Sequence, residues 1–431
     1  MASKEPRGEK LISGLTGPLT FLAGGLLGAA LATTWSRGTV DKDLAFYRTV
    51  RQIIEEEYVR PVDREALLTE AISGVATSLD PYSRFYTGEP LQRIEHDTRG
   101  TFHGIGAVFA YPTDAGRVLF PLPNSPAALA GLAVGDEILS FGGAHLADLP
   151  SGDFAARLRS LEPEPIELEI RRLSGDIERL ELTPADVVDP TIRHADLVAP
   201  GVGYLAITSF SRRTPEEFDE AIDELQGVGA RAFILDLRGN PGGVLFAATK
   251  IANRFIDSGV LVITETRLGH VEAMADPDEA TLLGTPLVVL VDEESASASE
   301  VLAGALQDSR RAALVGSATY GKGTIQTLTP LTRPESILKI TTGFYATPSG
   351  RSIDRFYRTD GGSAIWPDIE ITLADDERDA LHAHLAEYSP PLSLAQQVQD
   401  FEAQLGRTAT PRVVRDVQFE AALALLVEAG S

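Results

Sequence analysis

Hydrophobic side chains recur at helical spacing over residues 37–99. They predict two helices there, at residues 43–58 and 65–79, the first with an apolar stripe along one side. The pair Asp80 and Pro81 is typical of a helix end. We therefore expect residues 37–99 to form a helical region.

Between residues 100 and 187 the pattern changes to short β-prone runs separated by turns such as Ser125-Pro126. Two short helices are predicted among these runs, at residues 127–130 and 153–161. This pattern indicates a small β-rich domain over residues 100–187. Its predicted strands are residues 107–111, 118–120, 137–141, 166–171 and 179–182.

From residue 188 to 374 continuous apolar runs alternate with helical stretches. Strands that are buried on both faces show such runs, so the alternation predicts an α/β core. Residues 375–431 are polar and helical. The predicted fold class is a mixed, multi-domain α/β protein: an α/β core with an inserted β-rich domain and helical N- and C-terminal segments. The predicted core strands are residues 202–207, 232–237, 261–264 and 286–291, and the helices are residues 214–226, 244–255 and 299–309.

The N-terminal segment, residues 1–36, carries no charged residue after Lys10. About 20 apolar residues span a bilayer, so this segment predicts a single-pass anchor in the inner membrane. The alternative is a cleaved secretory signal, with Ala30 and Ala32 in a small-x-small cleavage site. Lys4, Arg7 and Lys10, which precede the uncharged stretch, predict a cytoplasmic N-terminus. The rest of the chain would then be extracytoplasmic, in the periplasm, or secreted after cleavage.

Composition excludes several classes of function. A net charge of −24 argues against a nucleic-acid partner, because such a protein needs a basic face. Cysteine is absent, which excludes disulfides, thiolate metal sites and a cysteine nucleophile. The seven histidines show no metal-ligand spacing, so we predict no metal and no other cofactor.

The densest candidate chemistry is a run of serines between a predicted strand and a predicted helix. With Glu300, Ser297 forms the sequence pattern of a helix capping box, which is the purely structural interpretation. The functional interpretation is a nucleophile, because a strand-to-helix corner exposes the hydroxyl and a helix N-terminus favours a developing oxyanion. Ser297 is the preferred nucleophile, and Ser295 and Ser299 are the alternatives.

A nucleophilic serine needs a base, and Lys322 is the candidate. Gly321 and Gly323 flank it, which suggests close approach of other groups to this loop. A lysine acts as a base only when neutral, so burial must lower its pKa from about 10.4. The residues that follow alternate like a strand, which places Gln326 on the same face as Lys322.

The same stretch has a rival interpretation. Residues 316–322 match the start of a phosphate-binding loop. Gly323 then stands where Ser or Thr would bind Mg²⁺, and strand-like sequence follows where a helix is required. Both departures argue against a nucleotide-binding function.

A second loop, residues 238–243, follows the predicted strand 232–237 and leads into a helix. It is either an ordinary turn or a set of backbone N–H groups that bind an oxyanion. In the second interpretation Gly242 and Gly243, with the amide of Ala298, form the oxyanion hole.

Together these stretches resemble the C-terminal processing peptidases, also called tail-specific proteases. The resemblance runs from about residue 45 to 372, and again over residues 416–419. It rests on five motifs in the family's order: residues 234–243, 295–300, 321–326, 346–353 and 367–369.

The resemblance implies a serine endopeptidase that cleaves proteins near their C-terminal tails through an acyl-enzyme. In it Ser297 is the nucleophile, Lys322 the general base and Gln326 the orienting third residue. The spacing of 25 residues between Ser297 and Lys322 fits the family. The α/β unit, residues 188–374, would be the protease core.

The resemblance also implies that residues 100–187 are a PDZ domain, which binds the substrate C-terminus. The backbone amides of its carboxylate-binding loop would lie at Gly104, Ile105, Gly106 and Ala107. Ala107 departs from the family pattern of this loop, as does the neighbouring His103.

The expected partners are protein substrates bound by their C-terminal tails and the inner membrane, through residues 1–36. A second copy of the chain and an adaptor protein are further candidates, and no nucleic acid is expected. The alternative function is a catalytically silent, membrane-tethered PDZ scaffold.

Overall fold

The computed structural model describes residues 37–110, 116–148, 158, 162–332, 335–357, 363–406 and 412–429. The chain divides into two compact units, residues 1–72 and 73–431. The first unit contains helix Arg37–Glu57, and helix Arg64–Thr77 begins in it. The predicted anchor, residues 1–36, lies outside the described residues. Within the described part, no helix is long and apolar enough to cross a membrane, and the anchor and the extracytoplasmic location stay predictions.

A six-stranded sheet, the central sheet, forms the core of the second unit. Its first two strands are antiparallel and every later neighbour is parallel. Three inner strands are buried along their whole length, as their continuous apolar sequence predicts. In spatial order the strands are Ile192–Ala199, Val202–Ile207, Ala232–Asp236, Leu287–Val291, Ala313–Gly316 and Ile369–Glu370.

Helices cover both faces of the central sheet, because alternate side chains of each strand point to opposite sides. One face packs against three helices that the sequence predicts: Thr214–Gly227, Leu245–Phe255 and Ala298–Asp308. The other face packs against two C-terminal helices, Asp375–Ala386 and Val417–Ala429. The C-terminal region therefore completes the core.

A second, antiparallel sheet lies in the same unit. Strand Arg84–Thr87 belongs to it, so the predicted helical region 37–99 contains a strand. The predicted strand 261–264 also forms here rather than in the central sheet, because it pairs with strand Glu335–Ala346. The strands of this sheet are Arg84–Thr87, Val260–Thr266, Gly269–Met274, Thr324–Thr332 and Glu335–Ala346.

Short strands surround a separate apolar cluster in the predicted β-rich region. Helix Gly88–Arg99 precedes them, and helix Pro126–Leu129 forms where it is predicted. Of the predicted helix 153–161 only Leu158 lies in the described part, and it is buried in this cluster. C-terminal helix Leu392–Gln404 packs against the same region. The strands are Thr101–Gly104, Ala107–Phe109, Val118–Pro121, Glu137–Phe141, Ala144–His145, Ile166–Arg171, Ile177–Leu182 and Ala185–Val188.

Candidate active site

Ser297 stands at the corner between central strand Leu287–Val291 and helix Ala298–Asp308. Its backbone has φ 57° and ψ −112°, a conformation that costs a non-glycine residue about 1–3 kcal/mol. A strained strand-to-helix turn of this kind presents a serine hydroxyl at the edge of a sheet. Ser297 itself is 9% exposed.

The two alternative serines are used by the fold. The Ser295 hydroxyl donates to the Leu237 carbonyl at 2.8 Å, and the Ser299 hydroxyl donates to the Asn240 carbonyl at 2.9 Å. Both residues are completely buried. Neither hydroxyl is accessible to a peptide, and both instead fasten the serine segment to the loop after strand Ala232–Asp236.

The buried Glu300 carboxylate joins the backbone of Ser297 to the loop of Lys322. Its Oε2 accepts from the Ser297 and Lys322 N–H groups, each at 2.8 Å. Its Oε1 accepts from the Thr319 hydroxyl at 2.5 Å and from the Gly321 N–H at 2.6 Å. Burial raises the pKa of this carboxyl, and the four donors oppose the rise. The bond to Ser297 is the glutamate half of the predicted capping box, and it also spans the two candidate catalytic segments.

Lys322 is half-buried, and its amine lies 4.6 Å from the centre of the Tyr82 ring. Burial lowers the pKa of the Lys322 amine, the nearby charge of Lys339 lowers it further, and Glu300 opposes both. A base that must be neutral benefits from this direction of shift. Among the described residues no hydrogen bond joins the amine to Ser297.

The glycines that flank Lys322 are closely packed, which confirms the approach predicted from the sequence. A β-carbon on Gly323 would lie 2.3 Å from the Asp354 nitrogen, and one on Gly321 would lie 2.8 Å from the Arg355 side chain. The segment continues into strand Thr324–Thr332 rather than into a helix. The phosphate-loop interpretation is therefore wrong, because no helix N-terminus follows the loop to receive a phosphate.

Gln326 lies on strand Thr324–Thr332, two residues beyond Thr324. Its amide donates to the Thr324 hydroxyl at 2.8 Å. In the part of the chain that the structure describes, no hydrogen bond links Gln326 to Lys322. The structure therefore places Gln326 beside the loop of Lys322 but without a bond to its amine.

Of the predicted oxyanion residues, Gly242 lies against Ser297, Gly243 follows Gly242 in the same loop, and Ala298 follows Ser297 in the chain. A β-carbon on Gly242, where φ is 96°, would be 2.9 Å from the Ser297 β-carbon, so only glycine fits there. The Gly242 N–H donates to the Asn240 side chain at 2.8 Å and is already occupied. The N–H groups of Gly243 and Ala298 donate to no described residue, which leaves these two amides open to an oxyanion.

Asn240 is a site residue that sequence reasoning missed. Its side-chain amide donates to the Ile207 carbonyl at 2.7 Å. Its own carbonyl accepts from the Ala296 N–H at 3.0 Å and from the Ser299 hydroxyl. Asn240 therefore ties the loop of Gly242 to the segment of Ser297. The available signal in the sequence was an asparagine within an Asn-Pro-Gly-Gly turn.

Arg238 joins two of the stretches that carry the family resemblance, residues 234–243 and 416–419. The fully buried Arg238 guanidinium pairs with Asp236 at 2.6 Å and with Asp416 at 2.8 Å. It also donates to the Gln418 side chain at 2.9 Å. The start of the last helix is thereby fixed beneath the loop that carries Gly242 and Gly243.

The predicted carboxylate-binding loop is held in shape through its carbonyl groups. The Gly106 carbonyl accepts from the Leu122 N–H at 2.8 Å and from the Ser125 hydroxyl at 3.0 Å. Gly104 and Ala107 lie on the strands at either side of the loop. The N–H groups of Ile105 and Gly106 donate to no described residue. Among the described residues, these two backbone N–H groups therefore have no hydrogen-bond acceptor.

Replacing Glu300 with glutamine tests whether this carboxylate positions the Ser297 and Lys322 segments. A glutamine amide offers one acceptor oxygen to four donors, so we expect the Ser297 and Lys322 segments to shift. We expect kcat to fall about 100-fold, since small misplacements of reacting groups have effects of that size, and KM to change little. Steady-state kinetics on an unstructured protein substrate checks this, with the exposed Glu224→Gln as control. Wild-type kcat in Glu300→Gln would contradict this role.

Comparison with known families adds two matches. Peptidase family S41 matches residues 201–371, a range that includes Ser297 and Lys322. The PDZ domain family matches residues 121–172. Within the described residues, no group of three or more His, Asp or Glu side chains is arranged to hold a metal ion.

Several curated proteins are similar over most of the chain. The carboxy-terminal-processing protease of Bartonella bacilliformis is 32% identical, over 81% of this chain and 81% of that protein. The carboxyl-terminal-processing protease of Synechocystis is 35% identical, over 70% of this chain and 72% of its own length. The carboxy-terminal processing protease CtpA of Bacillus subtilis is 32% identical, over 75% of this chain and 67% of that protein.

Proposed function

Because the chain belongs to peptidase family S41, among the carboxy-terminal processing serine proteases, we propose that it cleaves proteins near their C-termini with Ser297 as nucleophile and Lys322 as general base. The main support for these two roles is the pair of hydrogen bonds that Glu300 accepts. The Glu300 carboxylate holds the backbone of both residues, each at 2.8 Å, so the two segments are fixed to each other.

The proposed reaction begins with the neutral Lys322 amine. It accepts the Ser297 hydroxyl proton while Oγ attacks the scissile carbonyl carbon, and the N–H groups of Gly243 and Ala298 bind the resulting oxyanion. The Lys322 ammonium then gives the proton to the leaving amine as the C–N bond breaks. Water then attacks the acyl-enzyme carbonyl while Lys322 accepts its proton. The ester bond to Ser297 breaks, and the Lys322 ammonium returns the proton to Ser297 Oγ.

Lys322 must turn before this reaction can start. Its amine lies over the Tyr82 ring, where a ring face favours the ammonium form. Rotation toward Ser297 would exchange that contact for a hydrogen bond to the hydroxyl. We propose that the Gln326 side chain holds the amine in the rotated position, as the family resemblance implies.

The PDZ domain supplies the proposed preference for C-terminal tails. The support is the pair of unoccupied N–H groups at Ile105 and Gly106, next to strand Ala107–Phe109. A terminal carboxylate is a strong acceptor for such donors, and the preceding residues of a tail can pair with a strand edge.

Two substrates that differ at one group test this function. We would attach an unstructured apolar tail to a stable globular protein, with a free C-terminal carboxylate in one form and a C-terminal amide in the other. We expect release of the tail, seen by intact mass spectrometry, with kcat/KM about tenfold higher for the carboxylate form, since charge-assisted hydrogen bonds are the stronger ones. Equal rates would contradict tail recognition, and no cleavage of either form would contradict the protease assignment.

A further inference from the structure

A buried aspartate and a half-buried histidine form a pair next to the oxyanion loop of the candidate active site. His382, on C-terminal helix Asp375–Ala386, has its Nε2 atom 2.5 Å from Oδ2 of Asp292. Asp292 directly follows central strand Leu287–Val291 and is 3% exposed. Neither residue has a part in the reaction proposed above, and the sequence pattern of the histidines assigns His382 no role.

The Asp292 carboxylate binds both loops of the site. It accepts from the Gly239 N–H, at 3.0 and 3.2 Å to its two oxygens, in the oxyanion loop, residues 238–243. It also accepts from the Ser295 N–H at 3.1 Å, in the nucleophile loop, residues 292–297. One carboxylate therefore sets the spacing between the loop that carries Gly243 and the loop that carries Ser297.

The His382 ring supports this carboxylate from the far side. A β-carbon on Gly239 would lie 3.2 Å from the ring, so the imidazole packs directly beneath the oxyanion loop. The other ring nitrogen is 3.4 Å from the Glu294 carboxylate. His382 therefore touches the oxyanion loop, Asp292 and the nucleophile loop at once.

The charges around His382 are mostly negative. Asp292, Glu293 and Glu294 face it from the nucleophile loop, and Arg378, one turn earlier on its own helix, is paired with Glu293 at 2.9 Å. From the oxyanion loop the facing residue is the uncharged Gly239.

The hydrogen bond to Asp292 raises the pKa of His382 above its ordinary value of 6.5, against the opposing effect of burial. Burial alone would raise the pKa of Asp292. The hydrogen bonds that its carboxylate accepts, those from His382 and Gly239 foremost, outweigh burial and lower this pKa.

We propose that His382 is a positioning residue for peptide-bond cleavage: its imidazolium holds the Asp292 carboxylate in the place from which that carboxylate aligns the oxyanion loop with Ser297. The inference rests on the proposed roles of Ser297, Gly243 and Ala298. It gives the C-terminal helix a function in the reaction as well as in the core.

This role has a definite dependence on pH. The contribution of the imidazolium charge to this contact is fully present below about pH 6.5, the ordinary pKa of histidine, and is lost as pH rises through the raised pKa of His382. Above that pH the neutral ring keeps only an N–H donor toward Asp292. Lys322 requires the opposite change, because it becomes a base as pH rises. Wild-type kcat should therefore show a partial decrease on the alkaline side of the His382 titration, superimposed on the rise due to Lys322.

Two substitutions separate the charge from the hydrogen bond. His382→Ala removes both. We expect kcat at pH 6.5 to fall about tenfold with KM nearly unchanged, a smaller loss than the roughly 100-fold decrease expected for Glu300→Gln. His382→Gln keeps an N–H donor toward Asp292, and we expect it to recover most of kcat and to lack the alkaline decrease. His270→Gln, at an exposed histidine of strand Gly269–Met274, is the matched control and should match the wild type. Wild-type kcat in His382→Ala, or an unchanged pH profile in His382→Gln, would overturn the proposal.

A second measurement does not depend on catalysis. In the full chain carrying Ser297→Ala, the NMR amide signals of Gly239 and Ser295 should shift with the same midpoint as the His382 ring. Amide signals that ignore the His382 titration would overturn the inference even if the enzyme is a Ser–Lys protease. Absence of cleavage by the wild type would instead overturn the proposed function, and this titration would still decide whether His382 controls the loops.

Discussion

Replacing Ser297 with alanine is expected to abolish cleavage, with kcat lower by about 10⁴- to 10⁶-fold, the range found when the nucleophile of a serine protease is removed. The reason is chemical, because alanine has no oxygen to attack the carbonyl and no acyl-enzyme can form. The backbone strain at φ 57° remains in the variant, so the melting temperature should change little. Intact mass spectrometry of the tailed substrate is the measurement.

Ser299→Ala is the matched control for the nucleophile. Its hydroxyl donates to the Asn240 carbonyl and is completely buried, so its loss should cost about 1 kcal/mol of stability and leave most of the activity. An active Ser297→Ala with an inactive Ser299→Ala would reverse the assignment. A wild-type chain that binds tails but never cleaves them would favour the silent scaffold.

Replacing Lys322 with methionine is expected to lower kcat by at least about 10³-fold, because the hydroxyl proton then has no acceptor. In the wild type, kcat/KM should rise with pH, and its midpoint should lie below 10.5, because burial lowers the pKa of the Lys322 amine. A lowered amine pKa also means that the folded state gains stability as pH rises toward the ordinary lysine pKa. Lys322→Met should therefore melt no lower than the wild type at neutral pH, despite its loss of activity.

Lys339→Met provides the control for charge. Lys339 lies on strand Glu335–Ala346, and its positive charge lowers the pKa of Lys322. Removing that charge should move the midpoint of the kcat/KM profile to higher pH while the maximal rate is retained. Substantial activity in Lys322→Met, or a profile that Lys339→Met leaves in place, would contradict the general-base role.

The local features of the fold could be predicted because they depend on near neighbours in the sequence. Strand Val202–Ile207 and helix Leu245–Phe255 lie where the apolar runs and helical spacing place them, since burial on both faces or on one side leaves a periodic pattern. Strand Arg84–Thr87 was missed because it is only four residues long and its partner lies some 250 residues away.

The C-terminal region illustrates the opposite case. The sequence predicts this region to be helical, with an amphipathic helix over residues 418–428, but it assigns these helices no role. In the structure Leu381 and Phe419 pack against the central sheet, on the face that the three predicted helices leave open. A sheet with two apolar faces needs cover on both, but the sequence does not state which distant segment supplies it.

For this protein, the sequence by itself determined the family, the α/β core and the candidate pair Ser297 and Lys322, because each rests on residue types at fixed short spacings. Only the tertiary structure showed that the Ser295 and Ser299 hydroxyls form buried hydrogen bonds to backbone carbonyls. It also showed that Glu300 joins the two candidate catalytic segments and that the Gly242 N–H donates to the Asn240 side chain. It also brought His382 to Asp292, 90 residues earlier in the chain. Hydrogen bonds between distant segments follow from how helices and loops pack around the sheet, and that packing leaves no periodic signal in the sequence.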